Sequence, residues 1–129
     1  MKVLLIESDS ELRTTISNVL VKEGFEVKAE GNGKKGLKIF KEHHFDLVIT
    51  ALLIEDVNGM EIINNIRTKN KTIKIIAMSG GCHFLATDML QMAITVGANA
   101  IIPKPFSIHE LLMNLNILRP NSYQEIAVY

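Results

Sequence analysis

The sequence predicts an α/β doubly wound parallel sheet, and three observations carry that prediction. Short segments rich in Val, Ile and Phe recur five times along the 129 residues. Most lack the apolar–polar alternation of a half-exposed strand, as strands covered on both faces do. Helix-length amphipathic segments separate them. This alternation implies parallel strands joined by right-handed crossovers, with helices on both faces of the sheet. Five such strands suit the flavodoxin-like order 2-1-3-4-5.

Strands are expected at residues 3–7, 25–30, 45–51, 73–79 and 99–102, and helices at 9–23, 34–43, 59–69, 83–96 and 107–118. Ser8 followed by Glu11 has the spacing of a capping box and would start the first helix. Leu12, Ile16, Val19 and Leu20 share one face of that helix, and Gly24 ends it. Asn32 and Gly33 mark a turn before the second helix, Gly97 closes the fourth, and Pro103 and Pro105 bracket the last loop. One domain over residues 1–119 is expected, with residues 120–129 as a C-terminal tail too short for an output domain.

Apolar residues make up 47% and charged residues 22% of the chain, an ordinary globular composition. Fourteen Lys and Arg balance fourteen Asp and Glu, so no general electrostatic pull toward nucleic acid or an anionic membrane is expected. The single cysteine, Cys82, excludes an internal disulfide, and no segment approaches the ~20 apolar residues of a membrane span. The expectation is a soluble, cytoplasmic protein.

In an open α/β sheet, ligands bind beyond the carboxyl ends of the strands where the strand order reverses. That rule gathers Glu7, Ser8 and Asp9 after the first strand, Thr50 and Ala51 at the end of the third, Ser79 and Gly80 after the fourth, and Lys104 after the fifth.

Four stretches carry a resemblance: Leu4-Leu5-Ile6-Glu7-Ser8-Asp9, then Phe45-Asp46-Leu47-Val48-Ile49-Thr50-Ala51 followed by Asn58-Gly59, then Ile76-Ala77-Met78-Ser79-Gly80, and Pro103-Lys104-Pro105-Phe106. In this order and spacing the chain resembles the receiver domain of bacterial response regulators over residues 3–118. The resemblance implies a place in a two-component phosphorelay and a signalling rather than an enzymatic role. In that family an Asp ending the third strand accepts a phosphoryl group. Mg²⁺, held by that Asp and an acidic pair after the first strand, neutralises the phosphoryl oxygens. A hydroxyl and a lysine complete the clamp. Here the hydroxyl falls on Ser79 and the lysine on Lys104, but the acceptor position is Ala51, which offers neither nucleophile nor metal ligand. The acidic pair is Glu7 and Ser8, so its second member, the direct metal ligand, is lost. Glu55 stands where the loop after the third strand usually has Pro, and Ile101 where the last strand often carries an aromatic residue.

With Glu7 facing Lys104, the formal charge of this vestigial site is near zero, so Mg²⁺ binding is expected to be weak or lost and no other cofactor is implied. Lys104 is expected to turn to Glu7, and Asp9 to serve as a first-turn acid of the helix. Ser79 and Thr50 are expected to be satisfied hydroxyls. His43, His44, His83 and Cys82 lack a ligand spacing. A flavin at Gly80-Gly81 is disfavoured by the carboxylates of Glu7 and Asp9. The reading that follows is a pseudo-receiver, a protein-interaction module independent of aspartyl phosphorylation. The alternative is an ordinary phosphoaccepting receiver whose acceptor was replaced by engineering; the departures at Ser8 and Glu55 weigh against it. Helical arithmetic leaves Leu90, Ile94, Met113 and Ile117 without a place in the core. They form a candidate surface on the fourth and fifth helices for a histidine kinase, another signalling protein or a second copy.

Overall fold

The computed structural model describes residues 1–79 and 83–118, with side chains throughout except at 83–87, 89 and 90. The elements alternate as β1 (Lys2–Ile6), α1 (Ser10–Lys22), β2 (Glu26–Glu30), α2 (Gly33–Glu42), β3 (Leu47–Ala51), α3 (Gly59–Lys69), β4 (Lys74–Met78), α4 (His83–Val96), β5 (Ala100–Ile102) and α5 (Ile108–Leu118). The sheet is parallel, in the order β2-β1-β3-β4-β5. Its register sets Ile6 beside Thr50, Ala51 beside Met78, and Met78 beside Ile102. The carboxyl ends of four strands therefore line up at one edge.

Two apolar layers sandwich the sheet. Leu4, Ile6, Val48, Ile75 and Ala77 face Ile62, Ile63 and Ile66 of α3 and Ala93 of α4, with Leu37, Ile39 and Phe40 of α2 packed alongside. Val3, Leu5, Ile49, Ala51, Ile76, Met78 and Ile102 face Ile16 and Leu20 of α1 and Leu111 and Leu115 of α5. All five residues of β3 are buried, because this strand is central and covered by both layers.

The edge strand β2 departs from the expectation of strands apolar on both faces. Its residues Glu26, Lys28 and Ala29 are exposed, and the charged side chains mark an edge that no strand covers among the described residues. The strands are also shorter than the apolar runs: Phe25, Phe45 and Ile73 are buried but lie just before the hydrogen-bonded ladders.

The start of α1 is a second correction. Its N-cap is Asp9, whose Oδ1 accepts from the N–H groups of Glu11 at 3.0 Å and Leu12 at 3.2 Å. Ser8 therefore lies one residue outside the helix, and Asp9 caps it instead of sitting in its first turn. The Arg13 guanidinium donates to the carbonyls of Glu7 and Ser8 at 2.8 and 3.3 Å, which holds this stretch of backbone in the loop. Capping-box spacing does operate at α5, where Ser107 Oγ accepts from the Glu110 N–H at 3.1 Å and lies 3.3 Å from Glu110 Oε1. Gly24, Asn32 and Gly97 act as expected. Asn32 caps α2 through the Lys35 N–H, while Gly24 and Gly97 take positive φ after α1 and α4. The tail at 120–129, together with Gly80, Gly81 and Cys82, lies outside the described residues.

Candidate functional site

The loops at the carboxyl edge bring Glu7, Ser79 and Lys104 together. Glu7 follows β1 directly and is 2% exposed. Its Oε1 accepts from Lys104 Nζ at 2.5 Å and its Oε2 from the Asp9 N–H at 3.1 Å. β1 and β5 are separated by β3 and β4, so at ~4.8 Å per strand about 14 Å of sheet edge lies between them. The loop after β5 and the Lys104 side chain together cross that width over the ends of β4 and β3. Ser79 fixes the base of this reach: its buried Oγ accepts from the Lys104 N–H at 2.6 Å. Its own N–H donates to the Ile102 carbonyl at 3.2 Å.

Ala51 is fully buried within the layer that faces α1 and α5. Its methyl brings no charge and no hydrogen-bonding atom to the edge that Lys104 crosses. Thr50 Oγ1 donates to the Ala51 carbonyl at 3.0 Å, so this hydroxyl is satisfied by its own backbone, as the Ser79 hydroxyl is by Lys104. After Ala51 the chain folds back tightly, and the Gly59 N–H donates to the Leu52 carbonyl at 3.0 Å. A Cβ on Gly59 would meet Leu52 Cα at 2.5 Å, so this close approach demands glycine. Glu55 in the same loop is exposed, and Ile101 is partly buried against the α2–α4 layer.

Asp56 was not singled out by the sequence, yet it anchors this loop. Its Oδ1 and Oδ2 accept from the N–H groups of Gly33 and Lys34 at 2.8 and 3.0 Å, so the loop after β3 caps α2. The Lys34 N–H, and after it that of Gly33, holds the Asp56 carboxyl below the usual carboxylate range.

The donors at the strand ends do not fit Mg²⁺. Ala51 offers none, Ser8 offers a hydroxyl in place of a carboxylate, and both oxygens of Glu7 are already engaged, one of them by an ammonium. Among the described residues no three His, Cys, Asp or Glu side chains converge as a metal cluster. His43 is the C-cap residue of α2, and His44 Nε2 lies 3.5 Å from Asp46 Oδ1. The side chain of His83 is outside the described set.

Of the candidate surface residues, Ile94, Met113 and Ile117 are 44%, 51% and 62% exposed. Leu90 lies outside the described side chains. No described helix is long and apolar enough to cross a membrane.

Residues 3–116 match the response regulator receiver domain family. The chain belongs to that family. Among its relatives, the response regulator ArlR of Staphylococcus aureus is 32% identical over 126 residues, covering 97% of this chain and 56% of that protein. A probable transcriptional regulatory protein of Picosynechococcus is 31% identical, covering 91% and 48%. The cell cycle transcriptional regulator CtrA of Caulobacter vibrioides is 29% identical, covering 90% and 49%. The chain thus spans about half the length of the curated relatives it matches. The structure resembles the chemotaxis response regulator CheY4 of Vibrio cholerae, with a TM-score of 0.82, 24% identity and coverage of 92% and 98%. It also resembles TrrA of Thermotoga maritima, solved in complex with Mg(2+)-BeF, with a TM-score of 0.80, 26% identity and coverage of 92% and 98%. Receivers are signalling modules of two-component pathways, and this one has the flavodoxin-like fold expected from its sequence.

Proposed function

We propose that this receiver works as a protein-interaction module that accepts no phosphoryl group on aspartate and holds Mg²⁺ weakly or not at all. One observation carries the reading: the acceptor position is Ala51, and the lysine that would meet a phosphoryl oxygen is paired with Glu7 instead. An acyl phosphate needs a carboxylate nucleophile, which a methyl group cannot supply. The Glu7–Lys104 pair neutralises the charge that Mg²⁺ and phosphate would otherwise balance. The site is thereby held in a single state by its own side chains.

The partner in this reading is a histidine kinase, another signalling protein or a second copy of the chain, met on the face of α4 and α5. The exposed Ile94, Met113 and Ile117 support that placement, since exposed large apolar side chains gain by burial against a partner.

The test is incubation with acetyl phosphate and Mg²⁺, followed by intact-mass measurement. The mass is expected to stay unchanged; a phosphate adduct labile to hydroxylamine would overturn the proposal. Repair separates this reading from a receiver disabled by one engineered substitution. Ala51→Asp alone is expected to restore little phosphorylation, and Ser8→Asp with Ala51→Asp considerably more, because both carboxylates serve one ion. Full phosphorylation of the single variant would favour the engineered acceptor.

A further inference from the structure

At the opposite edge of the sheet, the C-terminal ends of α2 and α3 frame a groove of about 210 Å³ lined by Phe40, Lys41, His43, His44, Lys69 and Asn70, with Phe45 beneath. The chain is neutral as a whole, but its cations are not spread evenly. Residues 34–41 hold Lys34, Lys35, Lys38 and Lys41, and residues 67–74 hold Arg67, Lys69, Lys71 and Lys74, with no acidic residue in either segment. These eight are more than half of the 14 Lys and Arg. Of these, Lys41 and Lys69 line the groove, because the two helices are neighbours that end at the same edge.

Two like charges face each other there. Partial desolvation, and after it the Lys41 ammonium, holds Lys69 below the ordinary lysine range. No carboxylate forms an ion pair with either lysine among the described residues. The nearest acids in sequence are Glu42, which is exposed, and Asp46, which accepts from the Lys2 N–H at 2.8 Å and pairs with His44. Lysines in the last turn of a helix are ordinarily explained by the macrodipole, which places about −0.5 charge at each C-terminus. Two termini supply about −1 against +2 from Lys41 and Lys69, so the residues that line the groove keep a positive excess, which Glu42 and Asp46 just outside the lining reduce. The floor is aromatic: the Phe40 and Phe45 rings stack at 6.4 Å and 11°, and His43 stands edge-on to Phe45 at 6.4 Å. A low-dielectric floor strengthens attraction for a counter-ion.

We propose that this groove is an anion site that takes a phosphate group, with Lys41 and Lys69 as its two ammonium donors and the His43–His44 segment as its rim. Sites for drug-sized molecules begin at roughly 300 Å³, so this groove is of a size that a phosphate or the head of a phosphomonoester fills. It is separate from the Glu7–Lys104 site and does not depend on how that site functions.

The experiment uses the isotopically labelled chain and sodium phosphate, with sodium chloride at equal ionic strength as the control. Saturable amide shifts confined to Lys41, His43, His44, Lys69 and Asn70 are expected. A monoalkyl phosphate binding markedly more tightly than inorganic phosphate would identify an ester as the ligand, and equal affinity would identify free phosphate; either outcome supports the site. Lys41→Gln and Lys69→Gln are each expected to weaken binding about tenfold, whereas Lys41→Arg keeps it. Lys34→Gln, about 10 Å along the helix from Lys41, is expected to leave binding unchanged. Shifts that never saturate, that chloride reproduces, or that Lys34→Gln reduces as much as Lys41→Gln would overturn the proposal.

Discussion

The two edges of the sheet each hold one long cationic side chain across a gap between elements, and they do so with opposite chemistry. At the carboxyl edge Lys104 meets a carboxylate, Glu7, whose side chain is 3% exposed against 20% for the lysine. At the amino edge Arg67 meets only neutral oxygens. It donates to the carbonyls of Gly97 at 2.9 Å, Ile73 at 2.6 Å and Asn70 at 3.2 Å, and to Asn99 Oδ1 at 2.7 Å. Gly97, at φ +140°, lies so close to Arg67 that a Cβ there would meet its Cγ at 2.7 Å. Asn99 Oδ1 also accepts from the Ile75 N–H, so one guanidinium ties α3, the start of β4 and the turn before β5 into a single knot. Burial holds the Arg67 pKa below its ordinary value, and among the described residues no carboxylate pairs with it to offset the desolvation. The planar five-donor fork of arginine suits a cage of carbonyls, whereas a lysine acts as a point charge and suits a single carboxylate. The amino edge is thus a clamp, and the carboxyl edge is a receiver site whose remaining charges have paired.

The comparison breaks most readily at Glu7. Glu7→Gln strands the ammonium and Lys104→Met the carboxylate, which for a buried pair costs about 3 to 5 kcal/mol; the partial exposure of Lys104 puts the cost at about 3 kcal/mol. Glu7→Gln combined with Lys104→Met should cost much less than the sum, because it removes both charges. Urea unfolding of the four proteins measures the coupling, and additive losses would mean that the pair is not a unit. Arg67→Met should cost less, about 2 kcal/mol, because the carbonyls it leaves behind are neutral and partly reachable by water. Arg67→Lys should rescue little of that loss, since one ammonium cannot reproduce the fork. Rescue to wild-type stability would show that the amino edge needs only a positive charge.

How much of this was legible in the sequence follows from the range of each signal. The central strands and the helix faces were legible because burial imposes a period on local sequence, as at Leu12, Ile16 and Leu20. β2 was less so, since an edge strand with exposed Glu26 and Lys28 carries little of the signal that marks β3. The Glu7–Lys104 contact was legible despite a separation of 97 residues, because both residues sit at strand ends whose order the fold fixes. Arg67 and Asp56 were not. Their partners lie as far as 32 and 23 residues away, in the turn before β5 and at the start of α2, and neither the guanidinium nor the carboxylate differs in sequence from a solvated surface charge. The helix start at Asp9 was misplaced for a related reason. Ser8 and Asp9 are both good caps, and the Arg13 guanidinium on the carbonyls of Glu7 and Ser8 favours the second.

Asp56 is a third arrangement of charge, a carboxylate at the carboxyl edge whose partners are backbone N–H groups, and it sharpens the comparison with the smallest effect. Its carboxyl is held below the ordinary value of 3.8 by the N–H groups of Lys34 and Gly33. A depressed folded-state pKa means that the carboxylate stabilises the fold at pH values above 3.8, and that this contribution is lost as pH falls from there through the folded-state pKa. Asp56→Asn keeps one acceptor oxygen but removes the charge, so the variant should be slightly less stable at neutral pH. The gap should close in acid, where wild-type Asp56 is itself protonated. Thermal unfolding of both proteins between neutral pH and about pH 3 measures it, and 3.8 lies within that window. A gap that stays constant down to the acid end would mean that the loop after β3 holds α2 by shape alone, and that charge at this edge matters only where Glu7 meets Lys104.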